Sequence, residues 1–385
     1  MDIVKENIKT LSSKKFYGRG YVKQGDRKAA NFLKKKFIEY DVSSIAGSYF
    51  QDYQFSVNTF PKKTKVEING IGLKPAYDYI INANALSSKG KYKCLYLPLN
   101  ENDKELPLNE YFLIGDKEAR YFKERNPYNA KGFIYLDDKQ PIWSVSGSSD
   151  TSDYIVLSVD GSKIKDSIRG LKIQFENEYF SNYRTQNVWG FIEGTKYPDS
   201  IIILSAHYDH LGSFGKTIYP GANDNASGVA MVLELARYFS QEKNRPEISL
   251  VFALMSGEEA GLKGSTYMAN HFPFPLENVK LMINLDMVAT GSEGITMVNG
   301  KQLGSVFNSF VEINSDNDYL KEVKARGESC NSDHCPFYKK GVPSIFIYTR
   351  GPEATAYHIP QDNFETLPLT EFADLFLLLR DYIDQ

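Results

Sequence analysis

The chain has 385 residues, of which 42% are hydrophobic and 24% charged, and its formal net charge at pH 7 is −3. That length suits two ordinary domains or one large domain with an insertion, and the composition is that of a soluble globular protein with a sizeable core. The near-neutral balance argues against nucleic acid or an anionic membrane as partner, and no apolar run is long enough to span a bilayer.

Taken in chain order, the pattern predicts helices over residues 2–12 and 25–40. The second carries Ala29, Ala30, Leu33, Phe37 and Ile38 as an apolar face between lysines. Ser12-Ser13 and Tyr17-Gly18-Arg19-Gly20 form the link between them. From about residue 65 to 180, short β-like runs alternate with turn residues, at 66–68, 79–81, 94–97, 132–136, 154–157 and 171–175. One helix is expected at 116–125 and a Ser- and Gly-rich loop at 144–152. None of the chemistry described below lies in this block. Residues 65–184 therefore read as a smaller β-rich domain inserted into a main domain of 1–64 and 185–385.

From residue 186 onward strand, loop and helix repeat. Strands are predicted at 187–192, 201–205, 248–254, 281–285 and 344–348. Helices are predicted at 227–240, with Val229, Val232, Leu233, Ala236 and Arg237 at helical spacing, and at 370–382. The near-continuous apolar strands are those of a sheet covered on both faces. The expected fold is thus α/β, with its site at the carboxyl ends of the strands.

Metal-ligand residue types stand at those ends. His207-Tyr208-Asp209-His210 follows one strand, Ser256-Gly257-Glu258-Glu259 another, and Asp286 a third; Asn223-Asp224-Asn225-Ala226-Ser227-Gly228 precedes a helix, and Tyr357-His358 comes late. His207, Asp224, Glu259, Asp286 and His358 are imidazoles and carboxylates of the kind that hold zinc, and five ligands with one carboxylate to share suit a two-metal hydrolytic site. Taken singly, each has a plainer reading: a surface pair for His207-x-Asp209, an N-cap for Asp224 or Asp286, and helix-dipole placement for the tandem Glu. Glu258, left over beside Glu259, suits a general base, and the Tyr357 hydroxyl suits donation to an oxyanion, with aromatic packing as its alternative. Asp333 and His334 read as pocket or support residues. The competing assignment makes His334 the last ligand in place of His358, and His210 and His271 read as lying outside the ligand set.

The order His-x-Asp, Asn-Asp-Asn-Ala-Ser-Gly, Glu-Glu, Asp, Ser-Asp-His-x-Pro-Phe and Tyr-His resembles the family of co-catalytic zinc aminopeptidases that includes the bacterial leucyl aminopeptidases. The resemblance covers residues 185–385, with the opening helices and Gly18-Arg19-Gly20 also similar. It implies a mixed, mostly parallel sheet flanked by helices and two zinc ions. One ion would be held by His207 and Asp286, the other by Glu259 and His358, with Asp224 bridging and Glu258 as general base. It also implies a cis peptide bond between Asp224 and Asn225. The insertion more weakly resembles a protease-associated domain. Asn331 departs from the pattern, standing where some members carry Arg.

The implied activity is removal of N-terminal residues from peptides by a metal-activated water. The alternatives are a glutaminyl cyclase of the same fold, a carboxypeptidase or dipeptidase on the same metal set, or a receptor-like binding module that lost its metals. Members of this layout are usually exported, so the expected location is periplasmic or secreted, with any signal removed, since none is visible at Met1–Lys5; the cytoplasm is the other reading. Cys94, Cys330 and Cys335 make no disulfide framework; Cys330 and Cys335 are close enough to bridge a short loop, and both the bridge and free thiols stay open.

Overall fold

In the computed structural model, which describes residues 1–115, 125–148 and 150–385, the chain builds two eight-stranded sheets. The first runs, in spatial order, Phe50–Thr59, Glu178–Ile192, Ile248–Met255, Tyr197–His207, Val279–Leu285, Ser344–Thr349, Ile295–Val298 and Val323–Ala325. Its four middle strands, from Ile248–Met255 to Ser344–Thr349, are mutually parallel, with Leu204 opposite Phe252 on one side and Ile283 on the other. Antiparallel pairs flank them. With the parallel edge pair Ile295–Val298 and Val323–Ala325, four of the seven neighbour pairs are parallel, and the sheet is mixed and mostly parallel, as the resemblance implied.

Alternation along the middle strands sends successive side chains to opposite faces. Ile202 and Leu204 join a core with helices Asp2–Leu11, Gly25–Glu39, Gly228–Phe239 and Phe372–Ile383. Ile201 and Ile203 face the other way, onto Met268, Ala269 and Phe337. Helix Gly228–Phe239 lies against the strand ends because its first residue is glycine: a Cβ there would sit 2.3 Å from the Leu285 carbonyl oxygen. Val229, Val232, Leu233 and Ala236 are buried as expected, whereas Arg237 turns out of the core to bond Glu234, with Nε 3.0 Å from Oε2.

Ile38 also departs from expectation and is 49% exposed. Ala29, Ala30, Leu33 and Phe37 complete the buried stripe, and the next residue rotates about 100° away from it. Strand Glu178–Ile192 begins nine residues before the predicted 187 and crosses residue 184, forming a long ribbon with Phe50–Thr59. The latter strand was not expected. A register shift between Phe55 and Val57 breaks the period of two that would have revealed it. The helix expected at 116–125 falls, but for Arg125, outside the described residues.

The second sheet is drawn entirely from residues 65–175. Its core includes Phe60, Tyr79, Trp143 and Phe175, and Phe214 and Tyr219 reach into it from the segment after His207. Cys330 and Cys335 form a disulfide, with Cα atoms 4.9 Å apart, and Cys94 is free. Among the described residues, no helix is long and apolar enough to cross a membrane.

Candidate metal centre

Three parallel strands end on one edge of the first sheet and deliver His207, the Glu258-Glu259 turn and Asp286 there. Asp224 lies in the turn Ala222–Ser227, and its bond to Asn225 is cis, as the resemblance implied. That turn is held from two sides. The Asp362 carboxylate accepts the N–H groups of Asn223 and Asp224 at 2.8 and 3.0 Å, and Asn225 donates to the Leu285 carbonyl at 3.0 Å.

The two oxygens of Asp224 face different imidazoles. Oδ1 lies 3.4 Å from His207 Nε2, and Oδ2 lies 3.2 Å from His358 Nε2. His207 Nε2 also faces Asp286 Oδ1 at 3.4 Å, and His358 Nε2 faces Glu259 Oε2 at 3.2 Å. Each ring is oriented from behind: His207 Nδ1 meets the Asp209 carbonyl at 3.1 Å and His358 Nδ1 the Trp143 carbonyl at 2.9 Å. A carbonyl only accepts, so this geometry puts a proton on Nδ1 and turns each Nε2 toward carboxylate oxygens, where it either carries a second proton or meets a cation. Acceptors crowded together inside a protein repel unless a cation lies among them. His207, Asp224 and Asp286 offer ligand atoms all within 4.8 Å of one another, and so do His210, Asp224 and Glu259.

The protonation preferences express the same field. Burial opposes a second proton on His358, yet Glu259 and Asp224 raise its pKa to about 11. Burial also opposes charge on Glu259, but His358 and a hydrogen bond from His210 bring it down to about 2. Glu258 goes the other way. Burial raises its pKa well above the usual carboxylate range, and Asp333, Glu259 and Asp286 add to the rise against the pull of His207. Its backbone N–H is held by Asp209 Oδ1 at 3.2 Å, while Tyr21 donates to Asp209 Oδ2 at 2.8 Å.

Arg19 is the fully buried cation behind this edge. It donates to the carbonyls of Tyr208, Leu11, Pro220, Gly221 and Asp224 at 2.6–3.2 Å, tying the His207 segment to the Asp224 turn. Burial lowers its pKa to about 10, so it stays charged at neutral pH. Each buried carbonyl left without a donor costs about 1–3 kcal/mol. Arg19→Met is therefore expected to lower the denaturant midpoint by an amount equivalent to at least about 3 kcal/mol. A midpoint unchanged from wild type would show that water replaces the guanidinium.

Tyr357 is 44% exposed and stacks on His358, with ring centroids 3.9 Å apart at 16°. A cavity of about 290 Å³ opens over His207, Asp224, Glu258, Asp286 and His358, with Tyr357, Met287, Phe346, Asn331 and Arg326 among its walls. Asn331, the departure from the pattern, is thus a pocket residue, and the guanidinium in the wall belongs to Arg326. His334 stands apart from the cluster: Nε2 meets the Ser329 carbonyl at 2.8 Å, and the ring packs on Phe346. Its neighbour Ser332 donates to Asp286 Oδ2 at 2.8 Å. Buried Asp333 has its pKa raised, chiefly by burial, to about 6. His271 stacks on Tyr267, away from the cluster. His210, set aside in the sequence, lies inside it, with Nδ1 2.7 Å from Glu259 Oε1. Trp143, Asp362 and Arg326 were missed. Asp362, in the loop just after His358, offered the only local hint.

Residues 187–383, 197 of the 385, match Peptidase family M28. The chain belongs to that family. Aminopeptidase YwaD of Bacillus subtilis (strain 168) is 32% identical over 197 residues, 48% of this chain and 41% of that protein. A probable zinc metalloprotease of Pyricularia oryzae is 40% identical over 116 residues, 29% of this chain and 23% of that protein. The chain thus aligns with less than half the length of these curated relatives. Over its whole length it superposes on BSAP, a zinc aminopeptidase from Bacillus subtilis, with a TM-score of 0.76, 19% identity, and 99% and 94% of the two chains covered. The aminopeptidase from Aneurinibacillus sp. strain AM-1 gives 0.71, 21%, 99% and 92%. At such identities these likenesses establish the fold alone, across both sheets.

Proposed function

We propose that this M28 chain is a zinc aminopeptidase with two zinc ions, one held by His207 and Asp286, the other by Glu259 and His358, and both by Asp224. The observation that carries the reading is Asp224, whose two oxygens face two separately anchored imidazoles. Charge supports two ions rather than one. Among the described residues, Asp209, Asp224, Glu258, Glu259, Asp286, Asp333 and Asp362 share this edge with two guanidinium groups, Arg19 behind it and Arg326 in the pocket wall. The relatives' names as zinc metalloprotease and aminopeptidase agree with it.

Bound there, zinc would supply Lewis-acid polarisation of the peptide carbonyl and lower the pKa of the attacking water. The remaining work falls to side chains. Glu258, its pKa raised by burial and neighbouring acids, takes the proton from that water on a carboxylate oxygen and returns it to the leaving amine nitrogen. Asp209 couples Glu258 to His207, accepting from the backbone of the one and the ring of the other. Tyr357, kept protonated chiefly by burial, presents its hydroxyl from the pocket wall to the developing oxyanion. His210 fixes Glu259 through one oxygen and leaves the other toward His358.

Residues 65–184 form the inserted domain in this reading. The substrates are peptides with a free N-terminus. The Cys330–Cys335 disulfide favours an oxidising compartment, hence a periplasmic or secreted protein. The direct test is one peptide with its N-terminus free and acetylated. Stepwise release from the free end alone is expected. Cleavage of the acetylated peptide from its carboxyl end would refute the aminopeptidase reading, and ring closure of an N-terminal glutamine without hydrolysis would favour the cyclase.

A further inference from the structure

The two imidazoles that face Asp224 are anchored in different ways. His207 leans on the carbonyl of Asp209, two residues on, so its own segment suffices. His358 leans on Trp143, 215 residues away and between two strands of the second sheet, Gly132–Asp137 and Ile155–Asp160. The contact is reciprocal. The His358 ring donates to the Trp143 carbonyl at 2.9 Å, and the Trp143 backbone N–H donates to the His358 carbonyl at 3.2 Å. His358 holds a left-handed φ of +53°, a conformation a non-glycine residue keeps only when its surroundings impose it.

Neighbouring contacts extend the grip. Gln140 and Gln361 exchange side-chain amide hydrogen bonds at 2.6 and 3.1 Å. Farther along, Gly147 passes so close to the Glu258-Glu259-Ala260 turn that a Cβ on it would lie 2.1 Å from the Ala260 carbonyl oxygen. The segment is itself rooted. Trp143 is buried, donates from Nε1 to the Ile81 carbonyl at 3.2 Å and stacks on Tyr219.

We propose that residues 140–147 are a positioning strap, through which the second sheet sets the His358 ring and so the affinity of the Glu259/His358 side for zinc. The proposal rests on the zinc reading of His358. It gives the inserted sheet a part in the centre itself, through Trp143 as a positioning residue that touches no substrate. Outer partners of a metal-bound histidine typically govern affinity by about 10–100-fold.

The test is zinc binding to chelator-stripped full-length protein, followed by competition with a chromophoric chelator, beside circular dichroism and a thermal melt. Trp143→Ala is expected to weaken one of two zinc ions about 10–100-fold and leave the other at wild-type affinity. Trp143→Phe, which can keep the stack on Tyr219, is expected to restore most of the loss. A Gln140→Ala, Gln361→Ala double variant, which leaves Trp143 in place, is expected to weaken the same ion to a smaller degree. It decides the matter if Trp143→Ala does not fold. Equal weakening of both ions, or no change in either, in folded protein would overturn the strap. Wild-type protein that binds fewer than two ions would instead sink the two-zinc reading beneath it.

Discussion

Glu258→Ala is expected to lower kcat on a peptide or aminoacyl anilide by about 10²–10⁴-fold, the range for loss of a positioned general base. KM and zinc content should stay near wild type. The split follows from the geometry. Glu258 stands beside the clustered acceptors, and its place in the turn is set by its backbone N–H on Asp209, which the substitution leaves alone. Metal should therefore persist while proton transfer fails. Glu258→Gln, of nearly the same shape, should fail equally, because the amide cannot take up the proton. Undiminished turnover in either variant, with zinc retained, would remove Glu258 from the chemistry.

The second large effect concerns Asp224. Its Oδ1 faces His207 and its Oδ2 faces His358, so Asp224→Ala strips a ligand atom from both sides at once. The expected result is loss of both zinc ions at micromolar free zinc and activity at background. His358→Ala, by contrast, should cost chiefly one ion. The alanine also leaves His207 and His358 without the carboxylate between them, so a change in Tm is expected as well. An Asp224→Ala protein that still holds two zinc ions would show that the bridging role belongs elsewhere. Asn at this position tests charge against shape: it keeps one oxygen acceptor and loses the negative charge, and should bind at most one ion weakly.

Much of the middle of the fold was legible because its signals are local. Ile201 to Leu204 form an unbroken apolar run, as do Leu250 to Met255, and strands buried on both faces need no alternation. The acids and histidines at the ends of such strands stand out because a buried charge needs a partner. The Asn-Asp-Asn-Ala-Ser-Gly turn was legible for a further reason: the close approach of Gly228 to Leu285 demands a small residue. The flanks were not. Phe50–Thr59 is bulged, and the first half of Glu178–Ile192 mixes aromatic and polar residues and is mostly exposed, so neither shows a clean period. Ile38 was misplaced because an apolar residue next to a buried stripe looks like part of it. The support of the site was least legible. Trp143 acts through its backbone carbonyl and N–H, which carry no residue signature, and from an element 215 residues distant. His210 bonds Glu259, and Asp362 the backbone N–H groups of Asn223 and Asp224, through contacts that only the folded chain brings about.

The central claim, a two-zinc peptidase centre built on Asp224, is tested most directly by counting zinc during activity recovery. Chelator-stripped protein would be titrated with zinc while bound metal per chain and hydrolysis of a leucyl anilide are followed together. Binding that saturates at two ions per chain, with hydrolysis restored as they fill, is the predicted result. Saturation at one ion with full activity, or folded protein that binds no zinc, would contradict it.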